Sequence, residues 1–275
     1  DTMEVAARWS DLEKLYNNVR KAIGRRAFIM AHLSHAYPDG CSIYFTFAAS
    51  AKTPADMEQL YDAIWKDALD AAFASGGTLA HHHGVGRSKA PKLGDELGLG
   101  VDMGRALKRA FDPAGIFNPG NLLPPHSPAR TPLPALPSAP ELDLESQLVH
   151  APGHATLGQI QHILSPHHHT LKLSPEASPL DTTLSDYIAQ GAPGAPDPWQ
   201  DPVDHFVAGF TARLKNGAEL LVRPAPRRSV GSDLFTLFLG TGQRIGQITS
   251  AYVRVHGPNT PPRLSYRGER NPATT

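Results

Sequence analysis

Seven prolines fall within residues 124–140, and this segment constrains the fold more than any other part of the 275-residue chain. Proline fixes φ at about −65° and lacks a backbone N–H, so such a run does not continue a helix or fill the middle of a sheet. We expect 124–140 to be an extended, semi-rigid linker. It separates residues 1–123 from residues 141–257, and a proline-rich, polar stretch at 258–275 predicts a disordered tail.

The charge and cysteine content argue against several classes of function. The chain has 26 basic and 26 acidic residues, a balance that argues against a nucleic-acid-binding surface. Its one cysteine, Cys41, allows no intrachain disulfide and fits a reducing compartment, so we expect a cytoplasmic protein. No apolar stretch approaches a membrane span and no signal peptide opens the chain, which begins at Asp1. We interpret the chain as a fragment of a longer protein.

Hydrophobic periodicity predicts the α+β class for the first region, with an antiparallel sheet and packed helices. The expected elements are a helix at 3–23, antiparallel strands at 27–35 and 41–48, a helix at 53–75 and a broken helix at 91–111. The turn between the two strands is Pro38-Asp39-Gly40, in which proline presets φ and glycine accepts a positive value.

The second region predicts a smaller α+β segment. A short helix is expected at 156–164, and strand-like runs occur at 205–214, 218–223 and 247–255. Asn216-Gly217 between two of these runs is a hairpin-turn signal. His167–His169 follow Pro166 and are predicted to lie in a loop outside any site.

Three consecutive histidines, His81–His83, run directly into Gly84-Val85-Gly86. Histidine titrates near neutrality and suits proton transfer or anion binding, and glycine lets a backbone approach a ligand closely. Tyr37 stands at the mouth of the predicted hairpin, where its phenol can act as an acid or a base if its pKa is lowered. The residues alone leave open a metal site, an exposed turn without function, and a Tyr37 that only packs against the sheet.

Three motifs in a fixed order suggest a family. They read Ser34-His35-x-Tyr37-x-x-Gly40-Cys41-x-Ile43-Tyr44-Phe45, then Gly76-Gly77-Thr78-x-x-His81-His82-His83-Gly84-Val85-Gly86, then Asp112-Pro113-x-Gly115-Ile116-x-Asn118-Pro119-Gly120. With these motifs, residues 1–123 resemble the C-terminal domain of FAD-linked oxidases. The resemblance is greatest to the alkyldihydroxyacetonephosphate synthase (alkylglycerone-phosphate synthase) branch.

The resemblance implies FAD as cofactor and an exchange of the acyl group of acyl-dihydroxyacetone phosphate for a fatty alcohol, a step of ether-lipid synthesis. It implies that Tyr37 is the acid or base and that His82 and His83, with His81 as a further member, bind the leaving carboxylate or shuttle a proton. Asn118 is implied to contact the cofactor. The implied partners are a small-molecule or lipid-like substrate and an FAD-binding domain upstream in the same protein, and a homodimer is compatible with the fold.

The second region resembles the later part of a PCMH-type FAD-binding domain. The similar stretches are 183–189, 204–209, 216–217 and 231–238, and a glycine-rich run at 240–249. In that run Gly240, Gly246 and Ile248 are candidates for cofactor binding. The acidic residue of the family pattern is missing, and no run of backbone N–H groups for a pyrophosphate is evident. We therefore expect a degenerate copy, and a chain that binds FAD weakly or not at all and is inactive without the upstream domain.

Other functions stay open at this point. An FAD-linked oxidase or dehydrogenase of a 2-hydroxy acid or alcohol would use the same histidines to deprotonate a hydroxyl. A non-catalytic module that retains the fold is a second alternative. A metal hydrolase built on the two histidine triplets is a third, but no acidic ligand stands at a converging spacing, so we predict no metal site.

Overall fold

The computed structural model describes residues 1–123, 133–173, 179–195 and 206–258. Residues 124–132 of the predicted linker and residues 259–275 of the predicted tail lie outside the described residues. The described end of the linker, residues 133–140, contains neither helix nor strand.

The first element is a strand, so the predicted helix at 3–23 is wrong at its N-terminal end. Strand β1 spans Thr2–Arg8, and helix α1 begins only at Trp9 and ends at Ile23. The interior residues of β1 are all buried, so its apolar residues do not alternate with exposed ones. A strand that is buried on both faces has no alternation of apolar and polar residues. The apolar residues of β1 therefore fit the helical spacing of α1, and the sequence predicts one continuous helix.

The first sheet has the order β1-β3-β2, with β2 at Phe28–Tyr37 and β3 at Gly40–Ala48. Both neighbours of β3 run antiparallel to it, which confirms the predicted hairpin. The positive φ expected at Gly40 is wrong. A glycine is required there because a Cβ would lie 2.2 Å from the Ala7 carbonyl oxygen of β1. Helix α2 covers Pro54–Ala74 and packs with α1 against the sheet. Its N-terminus is capped as its sequence indicates, because Thr53 Oγ1 accepts the Asp56 N–H at 3.1 Å.

The predicted broken helix is two helices, α3 at Leu93–Leu97 and α4 at Leu99–Phe111. They are separated at Gly98, whose φ of +49° is a conformation that favours glycine. The loop that carries His81–His83 lies between α2 and α3. Thr78, three residues before His81, forms a β-bridge with Ala6 of β1 and so joins the loop to the sheet.

The second sheet is antiparallel throughout, with the order β4-β5-β8-β6-β7. Its elements are β4 (Glu141–Asp143), β5 (Leu148–Pro152), α5 (Leu157–Leu164), α6 (Leu184–Ala189), β6 (Val207–Leu214), β7 (Glu219–Val222) and β8 (Gly246–Arg254). The Asn216-Gly217 hairpin between β6 and β7 is confirmed, and Gly217 has a φ of +82°.

The chain is therefore α+β with antiparallel sheets and packed helices. In the described ranges the two sheets share no strand, and each packs against its own cluster of buried side chains. Val230 of the second region is buried in the core of the first, so the two regions are packed together. None of the helices in the described ranges is both long and apolar enough to cross a bilayer.

Candidate active site

A β-bulge in β2 shapes the edge of the site. The register shifts within Leu33–Ala36, so that Ser34 and His35 together oppose one residue of β3, Ser42. The His35 N–H donates to Ser42 Oγ at 3.1 Å. A bulge bends a strand and redirects the side chains that follow it, and here it precedes Tyr37 by two residues.

Tyr37 is the last residue of β2, and its side chain is paired with a buried histidine. The Trp9 indole N–H donates to the Tyr37 carbonyl at 2.9 Å and holds the backbone. The Tyr37 hydroxyl lies 2.8 Å from Nε2 of His81, a side chain that is almost fully buried. The structure therefore brings the predicted tyrosine to the histidine loop, and the contact is made by His81.

Glu4 of β1 anchors the histidine loop through hydrogen bonds to its backbone. Its carboxylate accepts the N–H of His81 at 3.2 Å and the N–H of His82 at 3.0 Å. The Lys89 ammonium lies 3.7 Å from Glu4 Oε2 and donates to the Glu4 carbonyl at 2.7 Å. A fully buried carboxylate with a cation and two backbone donors is a well-satisfied charge.

The surroundings of Glu4 also fix its charge. Burial by itself raises the pKa of the Glu4 carboxyl, but the His81 ring, Lys89 and the two backbone N–H groups outweigh it and lower the pKa to about 2. Glu4 is therefore an anion near neutral pH. Burial lowers the pKa of His82 from its ordinary value, against the attraction of Glu4, so this ring is predominantly neutral at pH 7.

Tyr44 of β3 completes the cluster on its exposed side. Its hydroxyl lies 3.0 Å from Nε2 of His82 and 3.1 Å from Nε2 of His83. Burial and the negative charge of Glu4 raise the pKa of the Tyr44 phenol, so it stays protonated and can both donate and accept.

These contacts form a continuous chain of hydrogen bonds from Tyr37 to His83. The contact that connects the Tyr37–His81 pair to the other residues is between the Nδ1 atoms of His81 and His82, which are 2.8 Å apart. When His81 carries its proton on Nδ1 and His82 carries its proton on Nε2, a proton from the Tyr37 hydroxyl can move to His81 Nε2 while His81 Nδ1 releases one to His82 Nδ1. His82 Nε2 then releases a proton to Tyr44, and Tyr44 releases one to His83 Nε2. The result is a Tyr37 phenolate and a protonated His83 at the exposed end.

Three of these histidines also meet a simple distance test for metal ligands. Ring nitrogens of His35, His81 and His82 lie within 4.8 Å of one another. Two nitrogens bound to one tetrahedral zinc would be about 3.3 Å apart, given Zn–N bonds of roughly 2.0–2.1 Å. The Nδ1 atoms of His81 and His82 are closer, at hydrogen-bond distance, and His81 Nε2 contacts Tyr37. The expectation that no acidic group reaches the histidines is wrong, because Glu4 Oε1 lies 3.4 Å from His81 Nδ1 and 3.2 Å from His82 Nδ1. The short contact between the two Nδ1 atoms still favours a hydrogen-bonded chain, and the absence of a metal stays a prediction.

The glycine-rich run of the second region does not form a pyrophosphate cradle. The Gly240 N–H donates to the Ile188 carbonyl at 3.1 Å, and the Gly242 N–H donates to the Ala189 carbonyl at 2.9 Å. Both donors are thus used at the C-terminal end of α6. Phosphate oxygens need free N–H groups, which these two glycines do not offer.

The remaining cofactor candidates lie in two different regions, Gly246 and Ile248 in β8 and Asn118 in the first region. Gly246 opens β8, and a Cβ there would lie 2.4 Å from the Arg213 carbonyl, so backbone fills this space. Ile248 is buried in the core of the second sheet. Asn118 follows α4 in the first region, where its side chain accepts from Asn121 at 2.6 Å. The described residues therefore do not fit a flavin held by this set.

Sequence reasoning missed one residue of the hydrogen-bonded chain, Tyr44, and the two residues that anchor it, Glu4 and Lys89. Glu4 is the one acidic residue in β1, and a lone carboxylate in an apolar run was the available signal. Tyr44 is part of the first motif, but nothing in its spacing assigns it to the histidines. Lys89 follows the histidine loop and resembles any surface lysine in sequence.

Residues 1–122 match the model of one protein family, described as FAD linked oxidases, C-terminal domain. This match agrees with the family resemblance that the three motifs carry.

Three curated relatives support the same assignment. An alkyldihydroxyacetonephosphate synthase from Dictyostelium discoideum is 38% identical over 117 residues, which are 42% of this chain and 19% of the relative. A Trypanosoma brucei brucei protein of the same name is 35% identical over 45% of this chain and 20% of the relative. A mitochondrial D-lactate dehydrogenase from Saccharomyces cerevisiae is 33% identical over 46% of this chain and 22% of the relative. The chain thus matches only about a fifth of the length of each relative.

Proposed function

We propose that residues 1–122 form the substrate side of an FAD-dependent enzyme of the alkyldihydroxyacetonephosphate synthase type. Such an enzyme exchanges the acyl group of acyl-dihydroxyacetone phosphate for a fatty alcohol. The observation that carries the proposal is the Tyr37–His81 hydrogen bond, anchored by the buried Glu4 carboxylate. The two synthases that resemble this region support it.

Tyr37 is the proposed acid and base. The exchange requires a proton to leave a carbon next to a carbonyl group. The C–H bond breaks, its electron pair is delocalised onto the carbonyl oxygen, and the proton forms a new O–H bond with the Tyr37 phenolate. The chain through His81, His82 and Tyr44 makes that phenolate accessible by moving its proton to His83.

His83 is the proposed site of anion binding. Its side chain lies at the exposed end of the chain of hydrogen bonds, where a protonated ring can pair with a departing carboxylate. His82 is held neutral by burial and passes protons between His81 and Tyr44. The two neighbours thus have different proposed roles, set by their different surroundings.

The flavin is proposed to be held by a separate domain upstream in the same protein. The N–H groups of Gly240 and Gly242 are used within this chain, and the exposed side of the histidine cluster is open to such a domain. A small-molecule or lipid-like substrate and a cytoplasmic location belong to the same proposal.

Oxidation of a 2-hydroxy acid is the second candidate. The similarity to the yeast D-lactate dehydrogenase favours it. In that reaction the same chain of hydrogen bonds would remove the hydroxyl proton of the substrate through Tyr37. The Glu4–His81–Tyr37 arrangement serves either reaction, because both begin with loss of a proton.

The test is a pair of assays on the full-length protein with its flavin domain. The proposal expects a fatty alcohol to be incorporated into acyl-dihydroxyacetone phosphate as an ether, with release of the fatty acid. Reduction of a dye acceptor by D-lactate or glycolate, without ether formation, would favour the second candidate. A flavin-loaded protein inactive in both assays would favour a non-catalytic module.

A further inference from the structure

Arg254 of the second region is bound to the turn that carries Tyr37. Its Nε donates to Asp39 Oδ2 at 3.0 Å, and both side chains are buried. Asp39 lies two residues after Tyr37, in the turn between β2 and β3. The remaining nitrogens of Arg254 donate at 3.3 Å to three carbonyls of its own region, those of Val207, Ala225 and Pro226.

A second buried carboxylate, Glu96, supports the histidine loop. It accepts the Thr78 hydroxyl and, at 2.6 Å, the N–H of Leu79, just before His81. Burial raises the pKa of Glu96, while these bonds and the positive charges of Arg223 and Arg228 oppose the rise. Both arginines belong to the second region, so positive charges of that region act on the carboxylate that supports the histidine loop.

The backbone of the second region also holds the loop directly. The Ser229 N–H donates to the Ala80 carbonyl at 2.9 Å, next to His81. Val230 is buried in the core of the first region. The segment 223–230 therefore contacts the histidine loop by hydrogen bond, charge and packing.

We propose that the second region is a positioning scaffold, in which Arg254 holds the Tyr37 turn and the 223–230 segment holds the His81 loop at hydrogen-bond distance from it. Arg254 is a positioning residue that acts through Asp39. This role deepens the proposed function and gives the second region a task that needs no flavin.

Two contacts made by the second region, Arg254–Asp39 and Ser229–Ala80, together set the distance between Tyr37 and His81. A proton moves between Tyr37 and His81 only within about 2.6–3.2 Å, and small misplacements reduce rates steeply. The β2–β3 turn and the 81–83 loop are separate segments of the first region, and each is bound by the second region. A buried ion pair with further hydrogen bonds is well suited to specify one geometry, because breaking it leaves an uncompensated charge.

The experiment is nitrogen-15 NMR of the histidine rings in the 275-residue chain. The His81 Nε2 signal is assigned with Tyr37→Phe, which removes the hydrogen bond to that nitrogen. In Arg254→Gln we expect this signal to move towards its position in Tyr37→Phe. The matched control is Arg213→Gln, whose arginine is 63% exposed and pairs with Glu219 at 3.4 Å in the same region. It should leave the signal unchanged.

A folded Arg254→Gln variant with the wild-type His81 signal would overturn the proposal. If that variant does not fold, the double variant Asp39→Asn/Arg254→Gln is measured, because it removes both charges and leaves neither unpaired. The same two results then support or overturn the proposal. The measurement needs neither flavin nor turnover, so its failure is distinct from failure of the proposed reaction. In the full-length enzyme we expect kcat to fall on the order of 10-fold with KM little changed.

Discussion

The Tyr37 hydroxyl lies 2.8 Å from Nε2 of His81, although 44 residues separate the two in the chain. The contact joins the end of a β-hairpin to a loop that follows a helix. Neither side chain could accept a proton from a substrate in this site alone, because the Tyr37 phenol needs a base to become a proton acceptor near neutral pH. The Tyr37–His81 pair is thus the centre of the candidate site.

Tyr37→Phe should lower turnover of the full-length enzyme by roughly 10²-fold or more while FAD stays bound, because it removes the proton-transfer group and keeps the ring. Turnover and flavin absorbance measure the two effects. Tyr61→Phe is the control, since Tyr61 lies on α2 and its hydroxyl donates to Asp1. Near-normal turnover in Tyr37→Phe would remove the acid/base assignment.

His81→Gln should affect turnover more than His83→Gln. His81 contacts Tyr37 directly, whereas His83 is reached only through Tyr44, so we expect losses of roughly 10²-fold and 10-fold. Thermal unfolding of each variant separates a rate effect from lost stability. His168→Gln, in the second triplet, is the control. A larger loss of turnover in His83→Gln than in His81→Gln would contradict the proposed order of the hydrogen bonds from Tyr37 to His83.

Glu4 should contribute stability that is lost in acid. Its folded pKa of about 2 lies below the ordinary value of 4.5, so the contribution is complete above about pH 4.5 and disappears as the pH falls towards 2. The expected size is on the order of 3 kcal/mol. Urea unfolding between these pH values should show a steeper decline for the wild type than for Glu4→Gln. Glu13→Gln, on the exposed side of α1, should keep the wild-type slope.

The purified chain should contain no stoichiometric zinc. The 2.8 Å spacing of the His81 and His82 Nδ1 atoms is a hydrogen-bond distance. Metal analysis by mass spectrometry, after purification without a histidine tag, gives the measurement. One zinc per chain that is lost in His35→Ala would show that the three histidines are ligands instead.

The isolated 275-residue chain should bind FAD weakly or not at all. The Gly240 and Gly242 N–H groups are used by α6, so no free donors meet a pyrophosphate there. Titration calorimetry with FAD measures the affinity. Tight binding at one FAD per chain would mean that the second region is a competent flavin domain.

Local signals in the sequence determined much of the framework. The Pro38-Asp39-Gly40 turn, the Thr53 cap and the Asn216-Gly217 hairpin each depend on residues within a few positions of one another. Their geometry follows from backbone sterics and short-range hydrogen bonds, which can be predicted from the residue types in a single sequence. The motifs likewise named Tyr37 and the histidines.

Tertiary structure decided that residues 2–8 form a strand and which residues contact one another in the site. The apolar run at residues 2–8 fits a helix or a doubly buried strand, and only pairing with β3 selects the strand. Glu4 and Arg254 meet their partners 77 and 215 residues away, at His81 and Asp39. Such contacts follow from how buried charges find partners when the whole chain closes, and no local pattern encodes which partner that is.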